Sequence, residues 1–188
     1  MRISDDRYSR DRQRFDLALR MIRHEARTCT IRTWTGLTDD RIRKLYRSYV
    51  AELGPDIKRH RGKSPSHVGF FLKNLEARRH AAALGGLYSI LGLLAKPAPN
   101  SRHTGAGAGA LHWGEQFCRT YETYLEFNRP HRISFEHACS LLEALQAQCE
   151  LRPGTCPSCT AFMVVDTLRA HGADCSLCER EKRGFEPS

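Results

Sequence analysis

Two Cys-x-x-Cys motifs near the C-terminal end constrain this chain more than any other feature. Cys156 and Cys159 form the first motif, fifteen residues follow, and Cys175 and Cys178 form the second. This spacing is typical of zinc sites in which four thiolates surround one ion. Four thiolates complete a tetrahedral shell and leave no position for a reactive water molecule. The spacing therefore predicts a structural metal centre, held in a small unit that contains short strands.

Other interpretations of these four cysteines stay open. Iron also occupies tetrahedral sulfur sites, so the spacing does not separate zinc from iron. Two disulfides or a redox-active pair would use the same residues, but a reducing compartment disfavours disulfides and the doubled motif disfavours a redox pair. His171 lies between the two motifs and is able to replace a cysteine ligand, although a surface position is the expectation for it.

The remaining sequence favours a protein of the cytoplasm. Residues 1–14 carry charges of both signs and lack the apolar stretch of a secretory signal. The longest apolar run, residues 81–95, is too short to span a bilayer, so we expect no membrane association. Four further cysteines lack metal-ligand spacing and are expected to be small core residues: Cys29, Cys118, Cys139 and Cys149.

Positive charge is concentrated in the first third of the chain. The 188 residues have a formal net charge of +9. Residues 1–65 contain 17 Lys and Arg against 9 Asp and Glu, whereas residues 66–188 contain 13 against 12. A localised basic surface favours a polyanionic partner, of which nucleic acid is the simplest. A charged face that contacts only solvent is the alternative.

Apolar residues at helical spacing predict three helices in this basic region, at about residues 12–27, 28–35 and 39–51, after a frayed start over residues 1–11. Gly36 lies where a tight turn is needed between the second and third helices, and Thr38 is placed to cap the third. The arrangement resembles a helix-turn-helix, in which the second helix of the pair enters the major groove of DNA.

Seven basic residues are the predicted DNA contacts. Three belong to the polar face of the third helix and four to the loop after it: Arg43, Lys44, Arg47, Lys58, Arg59, Arg61 and Lys63. Arginine on such a helix can bind guanine through two hydrogen bonds, and either basic residue can bind phosphate. The loop has no aromatic residue and suits phosphate contact. The alternative is an amphipathic helix whose basic face is merely solvated.

The rest of the chain predicts further helices and no catalytic motif. Helical spacing covers residues 64–95, with a break or a second helix near Gly85 and Gly86, and returns at about 111–128 and 133–150. Residues 96–110 predict a linker and residues 162–165 a strand. The predicted fold class is mainly α, divided into a basic helix-turn-helix-like unit (1–63), a helical domain (64–152) and a four-cysteine unit with short strands (153–188). We do not expect an enzyme.

Taken in order, these elements resemble the FlhC family, a subunit of the bacterial flagellar master transcription activator. The resemblance spans about residues 12–180 and depends on these motifs: Thr35-Gly36-Leu37-Thr38, Arg41-Ile42-Arg43-Lys44-Leu45-Tyr46, the Gly62-Lys63-Ser64-Pro65 loop, Tyr121-x-x-Tyr124-Leu125-Glu126 and the paired Cys-x-x-Cys motifs. It implies a mainly helical fold with one structural zinc ion bound by Cys156, Cys159, Cys175 and Cys178.

The resemblance also implies a function and its partners. Such a subunit binds double-stranded promoter DNA within a hetero-oligomer that contains an FlhD-type subunit. The complex activates flagellar genes, or a related regulon if this chain is a paralogue, by engaging the promoter and RNA polymerase. The alternative function is a zinc-stabilised protein-interaction adaptor that does not contact DNA.

Overall fold

The computed structural model describes residues 2–53, 57–60, 62, 65, 67–95, 108–168 and 175–179. Within them the chain is mainly α-helical with one small antiparallel sheet, which confirms the predicted fold class. The elements are α1 (Arg2–Arg23), α2 (Thr28–Thr35), α3 (Asp39–Leu53), a 3-10 helix (Val68–Phe71), α4 (Leu75–Ile90), α5 (Ala108–Phe127), α6 (Phe135–Ala147), β1 (Leu151–Thr155) and β2 (Phe162–Asp166). None of the helices in these ranges has the length and apolar character that a bilayer crossing requires.

The chain forms two compact units, each made of two segments. Residues 1–64 and 97–119 make the first unit, which contains α1, α2, α3 and the beginning of α5. Residues 65–96 and 120–188 make the second unit, which contains α4, the end of α5, α6 and both strands. The basic first third of the sequence and the four cysteines therefore belong to different units.

Helix α1 begins at Arg2, so the expectation of a frayed start over residues 1–11 is wrong. Opposite charges pair at helical spacing near the start that the apolar pattern predicted, Arg12 with Asp16 and Arg14 with Asp11. Pairs at this spacing each stabilise an exposed helix by a few tenths of a kcal/mol. The turns before residue 11 have no apolar stripe, so an apolar pattern does not detect them.

Aromatic packing closes the core of the first unit. Trp34 of α2 lies edge-on to Trp113 of α5, with ring centroids 5.0 Å apart, and edge-on to Phe117 at 4.9 Å. Leu17 on α1 is fully buried, and its Cδ2 lies 2.8 Å from where a Cβ at Gly114 would be. The absence of a side chain at Gly114 is what lets α5 accept that leucine.

In the second unit, α4 continues through Gly85 and Gly86, where a break or a second helix was predicted. A Cβ at Gly85 would lie 2.5 Å from Cε1 of Phe162, the first residue of β2. Gly85 therefore makes room for the aromatic ring, and neither glycine ends the helix. Tyr88, one turn further along α4, is buried and donates a hydrogen bond to the carbonyl of Ala138 on α6 at 2.8 Å.

The two strands pair antiparallel, with Leu151 opposite Asp166 and Thr155 opposite Phe162. The structure confirms the strand expected near residues 162–165, but β1 was not predicted because a helix was expected to continue to about residue 150. That helix ends at Ala147. Pro153 lies within β1, where its missing N–H is tolerated because each strand of a two-stranded sheet is an edge.

Candidate metal centre and basic surface

The first Cys-x-x-Cys motif lies on the turn that joins β1 to β2. The amide of Cys156 donates to the carbonyl of Ala161 at 2.9 Å, and the amide of Thr160 donates to the carbonyl of Cys156 at 3.0 Å. Thr160 has a φ of 58° and so reverses the chain direction into β2. The hairpin thereby presents the thiols of Cys156 and Cys159 at its tip.

The second motif lies on a helical turn over residues 176–179. The amide of Glu179 donates to the carbonyl of Cys175 at 2.9 Å, which closes this turn. The Glu179 carboxylate also pairs with the Arg78 guanidinium of α4 at 2.6 Å, and both side chains are largely buried. This ion pair anchors the turn that carries Cys175 and Cys178 to α4.

The four sulfurs form a set that can hold a metal ion. All lie within 4.8 Å of one another, with 3.9 Å between Cys156 and Cys178 and 3.5 Å between Cys159 and Cys175. A tetrahedral zinc ion with zinc–sulfur bonds of about 2.3 Å needs sulfurs roughly 3.8 Å apart. The spacing of the thiols therefore fits such an ion. His171 lies outside the described residues.

Hydrogen bonds give the thiols of the cluster different pKa values. The backbone amides of Cys159 and Ser158 stabilise the Cys156 thiolate and lower its pKa to about 6. Hydrogen bonding to Cys159, burial and the nearby Cys156 thiolate raise the pKa of Cys178 to about 12. Adjacent thiolates repel one another, and a bound cation removes that repulsion. The arrangement thus suits a metal better than four titrating thiols.

None of the eight cysteines forms a disulfide. Cys118 and Cys139 are buried, as expected for core residues. Cys29 and Cys149 are exposed, so the same expectation is wrong for them. Both lie close to element ends, at the second residue of α2 and two residues after α6, where side chains reach solvent more readily than in helix interiors.

Helices α2 and α3 are joined by a tight turn. Gly36 has a φ of 67°, a left-handed conformation that glycine adopts at little cost, and its amide donates to the carbonyl of Arg32 at 2.8 Å. Thr38 Oγ1 accepts a hydrogen bond from the amide of Arg41 at 3.4 Å, as the sequence predicted for a cap. An ion pair of 3.1 Å between Arg32 and Asp39 also links the two helices.

The predicted contact residues of α3 lie on its exposed side: Arg43, Lys44 and Arg47. The opposite side is buried and consists of Ile42, Tyr46 and Tyr49. Arg43 pairs with Asp40 on the same helix at 2.8 Å. Within the described ranges, Lys44 and Arg47 form no ion pair, so their charges face solvent.

Lys58 and Arg59 lie in an exposed segment of the first unit, whereas Arg61 and Lys63 are outside the described residues. Arg59 donates to Oγ1 of Thr28 at 3.3 Å, and its Cζ lies 5.6 Å from the centroid of the Tyr46 ring. The basic loop is thus in contact with α2 and α3 through Arg59.

Glu25, which the sequence analysis did not single out, holds this loop. Its Oε1 accepts from the amide of Lys58 at 3.1 Å, and its Oε2 accepts from Nε2 of His60 at 2.8 Å. Burial raises the pKa of Glu25, but these hydrogen bonds and the positive charges of His60 and Lys58 together outweigh burial and leave the pKa below its usual value. No local sequence signal marks the residue, because glutamate seldom adopts its φ of 58°.

A buried polar pair in the second unit was also missed. His80 is fully buried, and its Nδ1 shares a hydrogen bond of 2.8 Å with the hydroxyl of Tyr124. Burial, followed by the positive charge of Arg79, lowers the pKa of His80. A histidine at helical spacing among apolar residues gives no signal that separates this role from a surface position.

Comparison with protein families finds no family model that matches this chain, and comparison with curated proteins finds no similar sequence. The function must therefore be inferred from the chain's own residues. The features available for that inference are the four-cysteine cluster and the exposed basic residues of the first unit.

Proposed function

We propose that the chain is a DNA-binding subunit of a transcriptional activator, of the FlhC type that its sequence resembles. The observation that carries the proposal is the pair of helices α2 and α3, joined at Gly36, with basic residues exposed on α3. The second helix of such a pair fits the major groove, where its basic side chains reach base edges and phosphates.

The exposure of these basic side chains and the weakness of their ion pairs support a polyanionic ligand. Lys44 and Arg47 form no ion pair within the described ranges. Neither side chain therefore has to break such a pair in order to bind a phosphate. Arg43 pairs with Asp40, but both side chains are more than half exposed. Exposed ion pairs of this kind contribute only about 0.3–0.5 kcal/mol to stability. Replacing the contact of Arg43 with Asp40 by a contact with a DNA phosphate therefore costs little.

The proposal includes one structural zinc ion bound by Cys156, Cys159, Cys175 and Cys178. The separations of the sulfurs and their all-thiolate chemistry support it, and iron is the competing metal. The ion supplies folding energy when bound, because its four ligands come from two turns that only the folded chain brings together.

The partners in the proposal are those that the resemblance implies. They are an FlhD-type subunit in a hetero-oligomer, double-stranded promoter DNA and RNA polymerase, in the cytoplasm. The genes controlled are flagellar genes or a related regulon. Resemblance of sequence motifs is the only support for this finer assignment.

The test is DNA binding by the chain co-expressed with an FlhD-type subunit. Fluorescence anisotropy with promoter duplexes at increasing salt should give a log–log slope of about −0.9 for each phosphate contacted. Reversal of the three α3 charges (Arg43→Glu, Lys44→Glu, Arg47→Glu) should abolish binding and leave the hetero-oligomer intact. The matched control reverses three exposed arginines elsewhere: Arg12, Arg129 and Arg152.

Two results would redirect the assignment. If the intact complex binds no promoter duplex at low salt but keeps its protein partner, the chain is the zinc-stabilised adaptor. If both triple variants lose binding equally, net charge and not the α3 surface determines DNA affinity. Metal analysis of the same preparation should give one zinc ion per chain.

A further inference from the structure

Glu25, in the turn after α1, binds the basic loop through both of its carboxylate oxygens. Glu25 follows α1 with a φ of 58°, and the amide of Ala26 donates back to the carbonyl of Met21 at 3.0 Å. In this turn, Oε1 of Glu25 accepts from the amide of Lys58 and Oε2 from His60. Glutamate seldom adopts this left-handed backbone conformation. The hydrogen bonds that its side chain accepts from Lys58 and His60, and not a preference of the backbone, therefore hold Glu25 in place.

Two further contacts hold the same loop. Nη1 of Arg27 donates to the carbonyl of Gly62 at 2.8 Å, and Nη2 of Arg59 donates to Thr28 at 3.3 Å. Lys58 and Gly62 are therefore attached to the segment between α1 and α2, and Arg59 to the first residue of α2. Glu25 accepts two of these hydrogen bonds, one on each carboxylate oxygen.

This attachment places the loop's positive charges next to α3. The Arg59 guanidinium lies over the ring of Tyr46 on α3, with its Cζ 5.6 Å from the ring centroid. Arg59 has five N–H donors, of which Thr28 takes one. The Lys58 side chain is exposed and forms no ion pair within the described part of the chain.

We infer that Glu25 is a positioning residue, which holds residues 57–60 beside α3 so that Lys58 and Arg59 bind backbone phosphates of the duplex contacted by α3. The inference rests on the proposed function and adds to it the residue that holds the phosphate-contact loop expected from the sequence. The ligand group is the phosphodiester backbone of double-stranded DNA. Base identity plays no part at this surface.

The direction in which DNA affinity changes when Glu25 is substituted distinguishes a positioning role from simple charge repulsion. A carboxylate near a phosphate backbone repels it, so loss of the Glu25 charge on its own should strengthen DNA binding. Loss of a positioning residue should weaken binding, because the cations of the loop then no longer lie beside α3. Substitution of one residue therefore gives opposite results under the two explanations.

The variant of choice is Glu25→Gly, because glycine adopts the left-handed backbone readily and removes both acceptors without straining the turn. Glu25→Gln is the second variant, since it keeps one acceptor oxygen and loses the charge. Asp16→Asn is the matched control: it removes one negative charge from an exposed ion pair with Arg12 in the same unit.

Binding of the full-length complex to a promoter duplex is measured by anisotropy across a salt series. Glu25→Gly should bind about tenfold more weakly near 0.1 M salt, with a log–log slope shallower by about 1.8, the value for two lost phosphate contacts. Glu25→Gln should give an intermediate loss, and Asp16→Asn should bind at least as tightly as the parent. Tighter binding by Glu25→Gly would overturn the inference.

A double-mutant cycle and hydrogen exchange complete the test. Lys58→Ala combined with Arg59→Ala should weaken DNA binding by the parent complex. In the Glu25→Gly background the same two substitutions should cause little further loss of affinity, because the same contacts are already lost. In the DNA-free protein, the Lys58 amide should exchange faster in Glu25→Gly than in the parent. Additive losses in the cycle, or an unchanged exchange rate, would each overturn the positioning role.

The outcomes also separate this inference from the proposed function. A parent complex that binds no duplex refutes the function, and the phosphate-binding role with it. A parent that binds while Glu25→Gly binds equally well refutes only the inference. A double-stranded RNA of equal length that binds more tightly than the DNA would overturn the assignment of the ligand.

Discussion

Adjacent glycines of α4 should respond in opposite directions to alanine substitution. A Cβ at Gly85 would lie 2.5 Å from Cε1 and 3.1 Å from Cζ of the Phe162 ring. A Cβ at Gly86 would meet Phe162 only at 3.6 Å, an ordinary van der Waals separation. The two positions share a helix and a neighbour, so they differ mainly in the space available for one methyl group.

The expected free-energy changes follow from two opposing effects. Alanine is favoured over glycine in a helix interior by about 1 kcal/mol. Overpacking of a contact by a methyl group costs roughly 1–3 kcal/mol, and we take about 2 kcal/mol for an overlap that forces the aromatic ring to move. Gly86→Ala should therefore stabilise the protein by about 1 kcal/mol, and Gly85→Ala should destabilise it by about 1 kcal/mol.

Urea denaturation of the metal-loaded protein, followed by far-ultraviolet circular dichroism, measures both changes. The dependence of the unfolding free energy on urea should be the same in all variants, so that shifts in midpoint report stability. In a Phe162→Ala background, the overlap is absent and Gly85→Ala should become stabilising. The coupling free energy between positions 85 and 162 should be about 2 kcal/mol.

The packing of β2 on α4 also predicts an effect on the metal site. Phe162 is three residues from Cys159, so a displaced ring should disturb the turn that holds the first pair of thiols. Gly85→Ala should release the bound metal to a chelator faster than Gly86→Ala. Equal stabilisation by the two alanines, with equal rates of metal release, would refute the close contact between α4 and β2.

Three other perturbations probe the second unit. Cys159→Ala should abolish metal binding in metal analysis, whereas Cys149→Ala should retain one ion per chain. Arg78→Met should lower the free energy of unfolding by about 1 kcal/mol and speed chelation several-fold, because its ion pair with Glu179 is lost. Burial lowers the pKa of His80 from its usual value of 6.5 in the folded protein. As pH falls, the unfolded chain therefore binds a proton at this histidine before the folded protein does, and the free energy of unfolding decreases below about pH 6.5. In His80→Asn, which keeps a polar atom near that position, this part of the pH dependence of urea midpoints should disappear.

Local signals in the sequence account for the features that were predicted correctly. The x-x spacing of each cysteine pair, Gly36 at a helix end and Thr38 at a helix start depend on neighbouring residues alone. Each of these features is present where the sequence placed it. Sequence patterns are informative here because the physical cause lies within one or two turns of the residue concerned.

The features that were missed depend on distant partners. A Gly85-Gly86 pair reads as a helix break unless Phe162, far along the chain, occupies the space above it. Glu25 gains its role from Lys58 and His60, more than thirty residues later. No pattern confined to a helix or a turn contains that information, so the role of such residues emerges only from tertiary structure.

The positions of the cysteines indicate what a bound metal would do for this fold. One pair extends from the β1–β2 turn, and the other lies on a turn anchored to α4 by the Arg78–Glu179 ion pair. An ion shared by the two pairs would close the loop between them, and its binding energy would stabilise the hairpin. The basic residues of α3 belong to the other compact unit. Metal removal and charge reversal on α3 therefore perturb different parts of the chain, so the two treatments distinguish a loss of folding from a loss of the proposed DNA contact.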